Sequence, residues 1–591
     1  MCEELKKESC RSSFAVSTDD CVQKSISERN VSVLVEEGKS DCETVSGEKK
    51  QTCRVTPPDC NAEIYVCSYY WLPEKADRGE MPDYVELRVE IGALSQSCLL
   101  HKNEMNAANL MKKCPLVCME SQKSKMTFHQ QIRKAVTDQM LMHSLPEGYY
   151  FKHVGATWLP NQNLVFVRGN EVIGACDRPY KVDAECSGIH LLHSERPTMK
   201  MFDVLNEFTL ETSPRPVLLL SYAVLSTIRS VLRDYGIPFQ GVLYLYGPPS
   251  TGKTTAVQRI FGTYQDDKGQ CVGIAQAGST STALEEQMRR LRDQPLVIDD
   301  LCRSESKRLE KRRIETVSKI IRQATGDIPI IKKSGKNTVS LPNESAIVMT
   351  SEFALENLSD CNRLLLVSFR KAKPIPNDLT PACVGDILRL YSQWFTWNWR
   401  GEIQEFRKKI SSYLSEYKDE MCPRMCTNYA CLEAAFDSLM HALRANGLSE
   451  TTEHNLRLRM KGLLNKSIDC HIRMIARITA KIPLGNLSYY LLLAIKEKQF
   501  KMAKRVEDLS SCDGIEWKKD ICLKYEAVVR VLRGVYTYRD WSGRKIMNYF
   551  RDIGALDIQE SNGYTVRLAE GTPRVCRFKK KVLEMDKREF K

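Results

Sequence analysis

Histidine is scarce in this chain, nine among 591 residues, and the nine are scattered. No Ser/His/Asp or Cys/His nucleophile arrangement can be drawn from them. Long apolar runs are missing too. The longest, Pro216 to Leu232, is interrupted by Ser221 and Arg229 and reads as a buried helix, not a bilayer span. Met1-Cys2-Glu3-Glu4-Leu5 is acidic with no apolar stretch behind it, so no secretory signal is expected. Complete metal-ligand sets are also wanting, although there are 23 cysteines. Cys422, Cys426 and Cys431 have near-zinc spacing, as do Cys114 and Cys118, but their sets lack further Cys or His. Buried free thiols are expected there. Thiols in every region and no signal together predict a reducing, cytoplasmic setting without membrane contact.

What the chain does have is length, apolar content and positive charge. A hydrophobic fraction of 42% over 591 residues supports several cores. Lys and Arg number 87 against 74 Asp and Glu, a net +13. That excess favours polyanionic partners, nucleic acid first, over the plainer alternative of a mildly basic soluble enzyme. Residues 1–60 are Ser-, Thr-, Glu-, Lys- and Asp-rich with no sustained period and read as a disordered or low-order segment. Residues 61–199 read as an α+β accessory domain, with strands at Ile64 to Val66 and Val85 to Ile91. Helices follow at Asn106 to Lys112 and His129 to Met142, then a small β unit from Gly148 to Gly174. Residues 200–235 have a helical period. Strands are expected at Val242 to Tyr246, Val272 to Ala275, Leu296 to Asp299, Ile328 to Lys332, Ala346 to Thr350 and Leu364 to Phe369, alternating with helices. Such alternation predicts an α/β layer on a mainly parallel sheet within a domain spanning 200–375. Pro374, Pro376 and Pro381 suggest a linker; 385–535 reads as almost wholly helical, and 536–591 as a separate tail.

One segment carries chemistry. Gly247-Pro248-Pro249-Ser250-Thr251-Gly252-Lys253-Thr254, continuing into Thr255, fits G-x-x-x-x-G-K-[ST] in full. It follows an apolar strand and opens a helix, which is the context the motif requires. Its glycines let backbone N–H groups turn inward around phosphate oxygens, and the helix N-terminus adds its positive end. The pattern points to ATP with Mg²⁺: Lys253 bridging the β- and γ-phosphates, Thr254 offering a hydroxyl to the metal. Leu296-Val297-Ile298-Asp299-Asp300 ends an apolar strand in two carboxylates. Asp299 would hold the hydrated metal with Thr254, and Asp300 would orient or deprotonate the attacking water. At the end of the next strand, Thr350 or Ser351 can reach the γ-phosphate or the water, with Ser351 taken as the sensor. Arg363, just before an apolar strand, is either a surface charge or an arginine finger for a neighbouring subunit's γ-phosphate.

Together these features resemble the core of superfamily 3-type helicases, AAA+ relatives found in small DNA viruses, phages and mobile elements. The resemblance covers about 240 to 372. More broadly, 80 to 372 resembles an uncharacterised ATPase family of phages and integrative elements, commonly taken for replication helicases. The resemblance implies a homo-oligomeric ring, a hexamer, acting on single-stranded or forked DNA. It also implies a β-hairpin in the central channel, matched in kind by Ile328 to Leu341 with Lys332, Lys333 and Lys336 near a Ser-Gly turn. The chain departs from the family where Ser351-Glu352 stands in place of the usual Asn, and it carries no paired-carboxylate primase motif.

Two basic regions remain. Arg303, Lys307, Arg308, Lys311, Arg312 and Arg313 either line a channel or form a solvated helix face. The tail resembles a winged helix, with Ser542 to Gly554 as recognition helix bearing Arg544 and Lys545, and Asp557 to Phe578 as wing. The expected architecture is therefore an α/β P-loop NTPase core, AAA+-like, behind a β-rich N-terminal domain and ahead of a helical region and a winged-helix-like tail. The leading functional reading is an ATP-dependent DNA helicase. The alternative is a nucleotide switch or assembly ATPase that regulates partners without translocating; a lysine-bearing hairpin and an arginine finger are parts only the motor needs.

Overall fold

The central strands, Val242–Tyr246 and Ala346–Ser351 among them, are near-continuous apolar runs, as strands buried on both faces require. A computed structural model describes residues 53–589 apart from 57–59, 77–80, 119–126, 143–144, 195–201, 203, 206–214, 303–305, 327–329, 335–336, 342–343, 356, 370–377, 480–486, 535–537, 539–540 and 558–562. The low-order expectation for residues 1–60 lies outside the described residues over 1–52 and 57–59, but it fails at its end, where Cys53–Arg54 pair antiparallel with Tyr65–Val66 and Val55 is buried.

The core sheet has five parallel strands: β1 (Val242–Tyr246), β2 (Ile274–Gln276), β3 (Pro295–Leu301), β4 (Ala346–Ser351) and β5 (Leu364–Ser368), in the order β2-β3-β4-β1-β5. Leu243, Leu245, Val297, Val348, Leu365 and Val367 pack on helix α1 (Lys253–Phe261) and on the helices Arg215–Thr227 and Arg229–Asp234. The alternate residues, Tyr244, Leu296, Ile298, Ile347, Met349 and Leu366, pack on α2 (Ser281–Arg290) and α3 (Lys307–Ala324). Helices on both faces of a parallel sheet make the three-layer α/β arrangement that the strand–helix alternation predicts. The strand expected at Ile328 to Lys332 does not join this sheet. Ile330–Ser334 pairs antiparallel with Asn337–Leu341 as an isolated two-stranded ribbon.

Ahead of the core lies a six-stranded sheet that includes Glu63–Trp71, Tyr84–Ile91 and Leu94–His101, and a three-stranded one, Gly155–Trp158, Leu164–Arg168 and Glu171–Ile173. The second is tied to the core by a fully buried carboxylate. Asp293 accepts hydrogen bonds from Ala156 N–H (2.9 Å), Ser230 N–H (2.7 Å) and the Ser230 hydroxyl (2.6 Å). The short strand Ile189–Leu191 adds a second tie by pairing with Tyr264–Asp266 just beyond α1. Three-residue strands carry no periodic signal, which is why neither was expected.

After the core come three long helices: α4 (Pro381–Glu416), α5 (Pro423–Ala445) and α6 (Glu450–Thr479). Pro381 belongs to the first turn of α4 and not to a linker. The Thr380 hydroxyl caps the helix by accepting from Cys383 N–H (3.2 Å), and proline is tolerated there because that N–H has no intrahelical partner. Helix does not persist to 535 as the sequence suggests. Gly514–Trp517 and Asp520–Leu523 form a hairpin whose turn places Lys518 at φ 59°. A lysine in that left-handed position gives no glycine or asparagine signal to read. The final portion packs helix Leu487–Lys496 with helices Tyr525–Gly534 and Gly543–Asp552, strand Cys576–Lys579 and an unexpected last helix, Lys580–Glu589. Asp520–Leu523 pairs with Cys576–Lys579, and Leu556 bridges Phe578.

Among the described residues no helix is long and apolar enough to cross a membrane.

Candidate active site

β1 delivers the chain to Gly247, whose backbone runs so close to the neighbouring segment that a Cβ there would sit 2.8 Å from the Phe369 carbonyl oxygen. The loop then turns with Ser250 at φ 59° and Gly252 at φ 85°, and Lys253 begins α1. Lys253 is buried. Its Nζ donates to the carbonyls of Gly247 (2.9 Å) and Pro248 (2.8 Å), so the ammonium is held inside the curl of the loop. Burial pulls its pKa below the usual lysine value, opposed by the carboxylates of Glu352, Asp300 and Asp299. Three acidic groups from two strand ends thus converge on one buried amine.

Thr254, one residue into α1, donates its hydroxyl to Asp299 Oδ1 at 3.2 Å. The same oxygen accepts from the Thr350 hydroxyl, and that hydroxyl accepts in turn from Asp300 N–H at 2.8 Å. Asp299 and Thr350 are buried, 4% and 1% exposed. A bulge makes this possible. On β3 two residues, Asp299 and Asp300, stand opposite Thr350 alone, because the register passes from Ile298–Met349 to Leu301–Ser351. Asp300 occupies the left-handed region at φ 64°. A regular strand would send consecutive side chains to opposite faces. The bulge instead leaves Asp299 on Thr254 while Asp300 lines the same cleft as the loop.

That cleft has a volume of about 220 Å³ and is lined by residues 249–255 of the loop with Asp300, Thr350, Ser351 and Glu352. Ser351 contributes less than expected. Its hydroxyl donates to the Leu301 carbonyl (3.0 Å) and accepts from Phe353 N–H (3.1 Å), so it fastens β4 to β3. Strand parity explains the choice: Thr350 shares a face with Ala346 and Val348, which pack toward α1, whereas Ser351 follows Ile347 and Met349 on the other face. Period two separates Thr350 from Ser351, and the packing of Ala346 and Val348 toward α1 then selects Thr350. Glu352, past the end of the strand, is from the sequence the next candidate after Asp300 for the water-activating carboxylate, and it lines the same cleft.

A hydroxyl and a carboxylate oxygen side by side are the hard-oxygen donors of a Mg²⁺ site. Among the described residues no group of three or more His, Cys, Asp or Glu could enclose a metal ion. A magnesium held here would therefore complete its shell with water and phosphate, which is how that ion is ordinarily bound beside nucleotides.

The other expected site residues lie apart. Arg363 precedes β5, whose Leu364 pairs with Val242 at the start of β1, so it sits at the end of the sheet opposite the loop. Five residues of β1, roughly 16 Å at about 3.3 Å each, separate the two. Its Nη1 donates to the carbonyl and hydroxyl of Ser359. Lys332 and Lys333 fall on one arm of the antiparallel ribbon; their side chains, and Lys336 altogether, are outside the described residues. Arg544 and Lys545 are exposed on the first turn of helix Gly543–Asp552, which the Ser542 hydroxyl caps, and the Lys545 ammonium lies 4.1 Å from the Trp541 ring centroid.

No protein-family model and no curated protein matches the chain. Among solved structures it is similar to one described as the active helicase Cch of SCCmec type IV, at 14% identity and TM-score 0.45, covering 88% of this chain and 95% of that one. It is also similar to a structure of JCV helicase, at 15% identity and TM-score 0.18 over 48% and 75% of the two chains. A third is an apo structure of the NrS-1 C-terminal region, at 8% identity and TM-score 0.26 over 71% and 88%. Likeness at this level assigns no activity, and the reading below stands on the geometry of the cleft.

Proposed function

We propose that this chain is an ATP-dependent DNA helicase that works as a homo-oligomeric ring, a hexamer, in the replication of a phage or mobile element. The observation that carries the reading is the convergence of Lys253, Thr254, Asp299, Thr350 and Asp300 on one cleft at the C-terminal edge of a parallel sheet. The glycine-bearing loop and the N-terminus of α1 would cradle the phosphates of ATP. Lys253 would leave its loop carbonyls for the γ-phosphate. Thr254 and Asp299 would hold Mg²⁺, which supplies charge neutralisation when bound. Asp300, the exposed carboxylate of the pair, would orient and deprotonate the attacking water. The test is ATP hydrolysis with and without single-stranded DNA on one preparation. Hydrolysis that DNA stimulates supports the motor; hydrolysis indifferent to DNA in an assembled ring, with no unwinding, favours a nucleotide switch or assembly ATPase.

The position of Arg363 supports a site shared between subunits, because it lies at the end of the sheet opposite its own loop. Arg363→Ala is expected to bind nucleotide nearly as wild type and to lose turnover. Mixing it with Lys253→Ala protein should restore part of the activity, since some interfaces would join an intact loop to an intact arginine. No recovery under conditions where wild-type subunits exchange sinks the shared site.

The ribbon Ile330–Ser334 and Asn337–Leu341 feeds directly toward β4, which carries Thr350, so nucleotide state and ribbon position can be coupled. Replacing Lys332, Lys333 and Lys336 together with Ala is expected to leave basal hydrolysis in place and to remove DNA stimulation and unwinding. The log–log salt dependence of DNA binding should flatten by about one unit of slope for each phosphate the variant no longer neutralises. A triple variant that unwinds a forked duplex like wild type excludes this ribbon as the grip. In the tail, helices Tyr525–Gly534 and Gly543–Asp552 followed by strand Cys576–Lys579, which returns to pair with Asp520–Leu523, support a winged-helix reading, with Arg544 and Lys545 set to meet phosphates.

A further inference from the structure

A strand that ends in two adjacent carboxylates has a geometric difficulty: regular pleating would turn one of them away from the nucleotide. Here the bulge at Asp299 and Asp300 removes the difficulty, and a single hydroxyl spans it. Thr350 Oγ1 accepts from the backbone N–H of Asp300, the residue in the left-handed conformation, and donates its proton to Asp299 Oδ1. A hydroxyl has one proton to give. With that proton engaged by Asp299 Oδ1, the side chain has none left for a γ-phosphate oxygen. The other edge of the bulge is pinned independently, by Ser351 Oγ and Glu352 N–H, both donating to the Leu301 carbonyl.

We propose that Thr350 is a positioning residue that fixes the metal carboxylate and the water-activating carboxylate together by locking the β3 bulge, and that it does not read the phosphate directly. Without the lock, Asp300 N–H is freed. The strained left-handed residue can then relax toward regular pairing, which carries its carboxylate out of the cleft. Asp299 would lose the partner that fixes which of its oxygens faces Thr254. The inference rests on the ATPase reading above and deepens it: the polar end of β4 serves the neighbouring strand, not the substrate.

The experiment compares Thr350→Val, which keeps shape and loses the hydroxyl, with Thr350→Ser, which keeps the hydroxyl. Three quantities are read on each: turnover, the Mg²⁺ concentration giving half-maximal turnover, and nucleotide affinity in EDTA. Thr350→Val is expected to lose about tenfold or more in turnover and to need several-fold more Mg²⁺, with metal-free affinity within about twofold of wild type. Thr350→Ser should return turnover to within about threefold. Thermal melting checks folding, and Thr350→Ala carries the same readouts should the valine variant not fold. The proposal is overturned if Thr350→Val keeps wild-type turnover and Mg²⁺ dependence. It is equally overturned if metal-free affinity falls as far as turnover, which would mark a direct phosphate contact, or if Thr350→Ser fails to recover. A wild-type protein that does not hydrolyse ATP overturns the ATPase reading and this inference with it, whereas active wild type with an unaffected valine variant overturns this inference alone.

Discussion

Lys253→Ala should abolish ATP hydrolysis and greatly weaken nucleotide binding. The ammonium is buried at the mouth of α1, and the groups around it are carbonyls and carboxylates: Gly247, Pro248, Glu352, Asp300 and Asp299. Bringing a triphosphate into that acidic setting without the buried ammonium adds repulsion where attraction is needed. Loss of a single preorganised donor to developing charge costs about 10²–10³-fold in turnover in comparable sites, and here a full charge is lost with it. The protein itself should survive the change. The hydrogen bonds of Lys253 go to loop carbonyls, which can be solvated from the cleft. Titration of a fluorescent ATP analogue, beside a melting curve in the absence of nucleotide, separates the two effects. Near-normal nucleotide affinity in a folded Lys253→Ala protein would remove the loop from the site.

Asp300→Asn should show the opposite division, binding intact and chemistry lost. The amide keeps the size of the side chain and tolerates the left-handed backbone that Asp300 adopts, but it cannot take a proton. A positioned general base contributes about 10²–10⁴-fold, and turnover should fall within that range while Mg-nucleotide affinity changes little. Glu352 makes this a two-sided experiment. It lines the same cleft and is the first among the carboxylates that hold up the pKa of Lys253. Glu352→Gln is expected to change turnover less than Asp300→Asn. Full turnover in Asp300→Asn together with its loss in Glu352→Gln would transfer the base to Glu352 and leave Asp300 as a structural carboxylate.

Thr350 and Ser351 show how far local pattern reaches. Their sequence is Thr-Ser after four apolar residues, and chemistry alone gives either hydroxyl to the site. Strand parity, present in the sequence, puts the two hydroxyls on opposite faces; only the packing of Ala346 and Val348 toward α1 decides for Thr350. The Asp299–Asp300 bulge is different. Nothing in Val-Ile-Asp-Asp-Leu signals an extra residue, because the irregularity exists only relative to the pairing partner on β4. The same holds for the lysine at φ 59° in the Trp517 to Asp520 turn, where the hairpin is imposed by pairing with Cys576–Lys579 and not by turn residues.

The sequence by itself determined the phosphate loop, the alternation of strands and helices about it, and the apolar strand that ends in two aspartates. Each of these is local: a fixed glycine–lysine spacing, a periodicity, a run of residues that buries itself. Tertiary structure alone decided the strand order, which puts β4 between β1 and β3 and so brings Thr350 to Asp299. It also decided that both aspartates face the loop, that Glu352 joins them, and that Arg363 lies about one strand length away at the far edge of the sheet. Those outcomes depend on pairings between residues 50 or more apart in sequence, such as Asp300 with Thr350 and Val242 with Leu364. A periodicity read within one segment has no access to which segment becomes its neighbour.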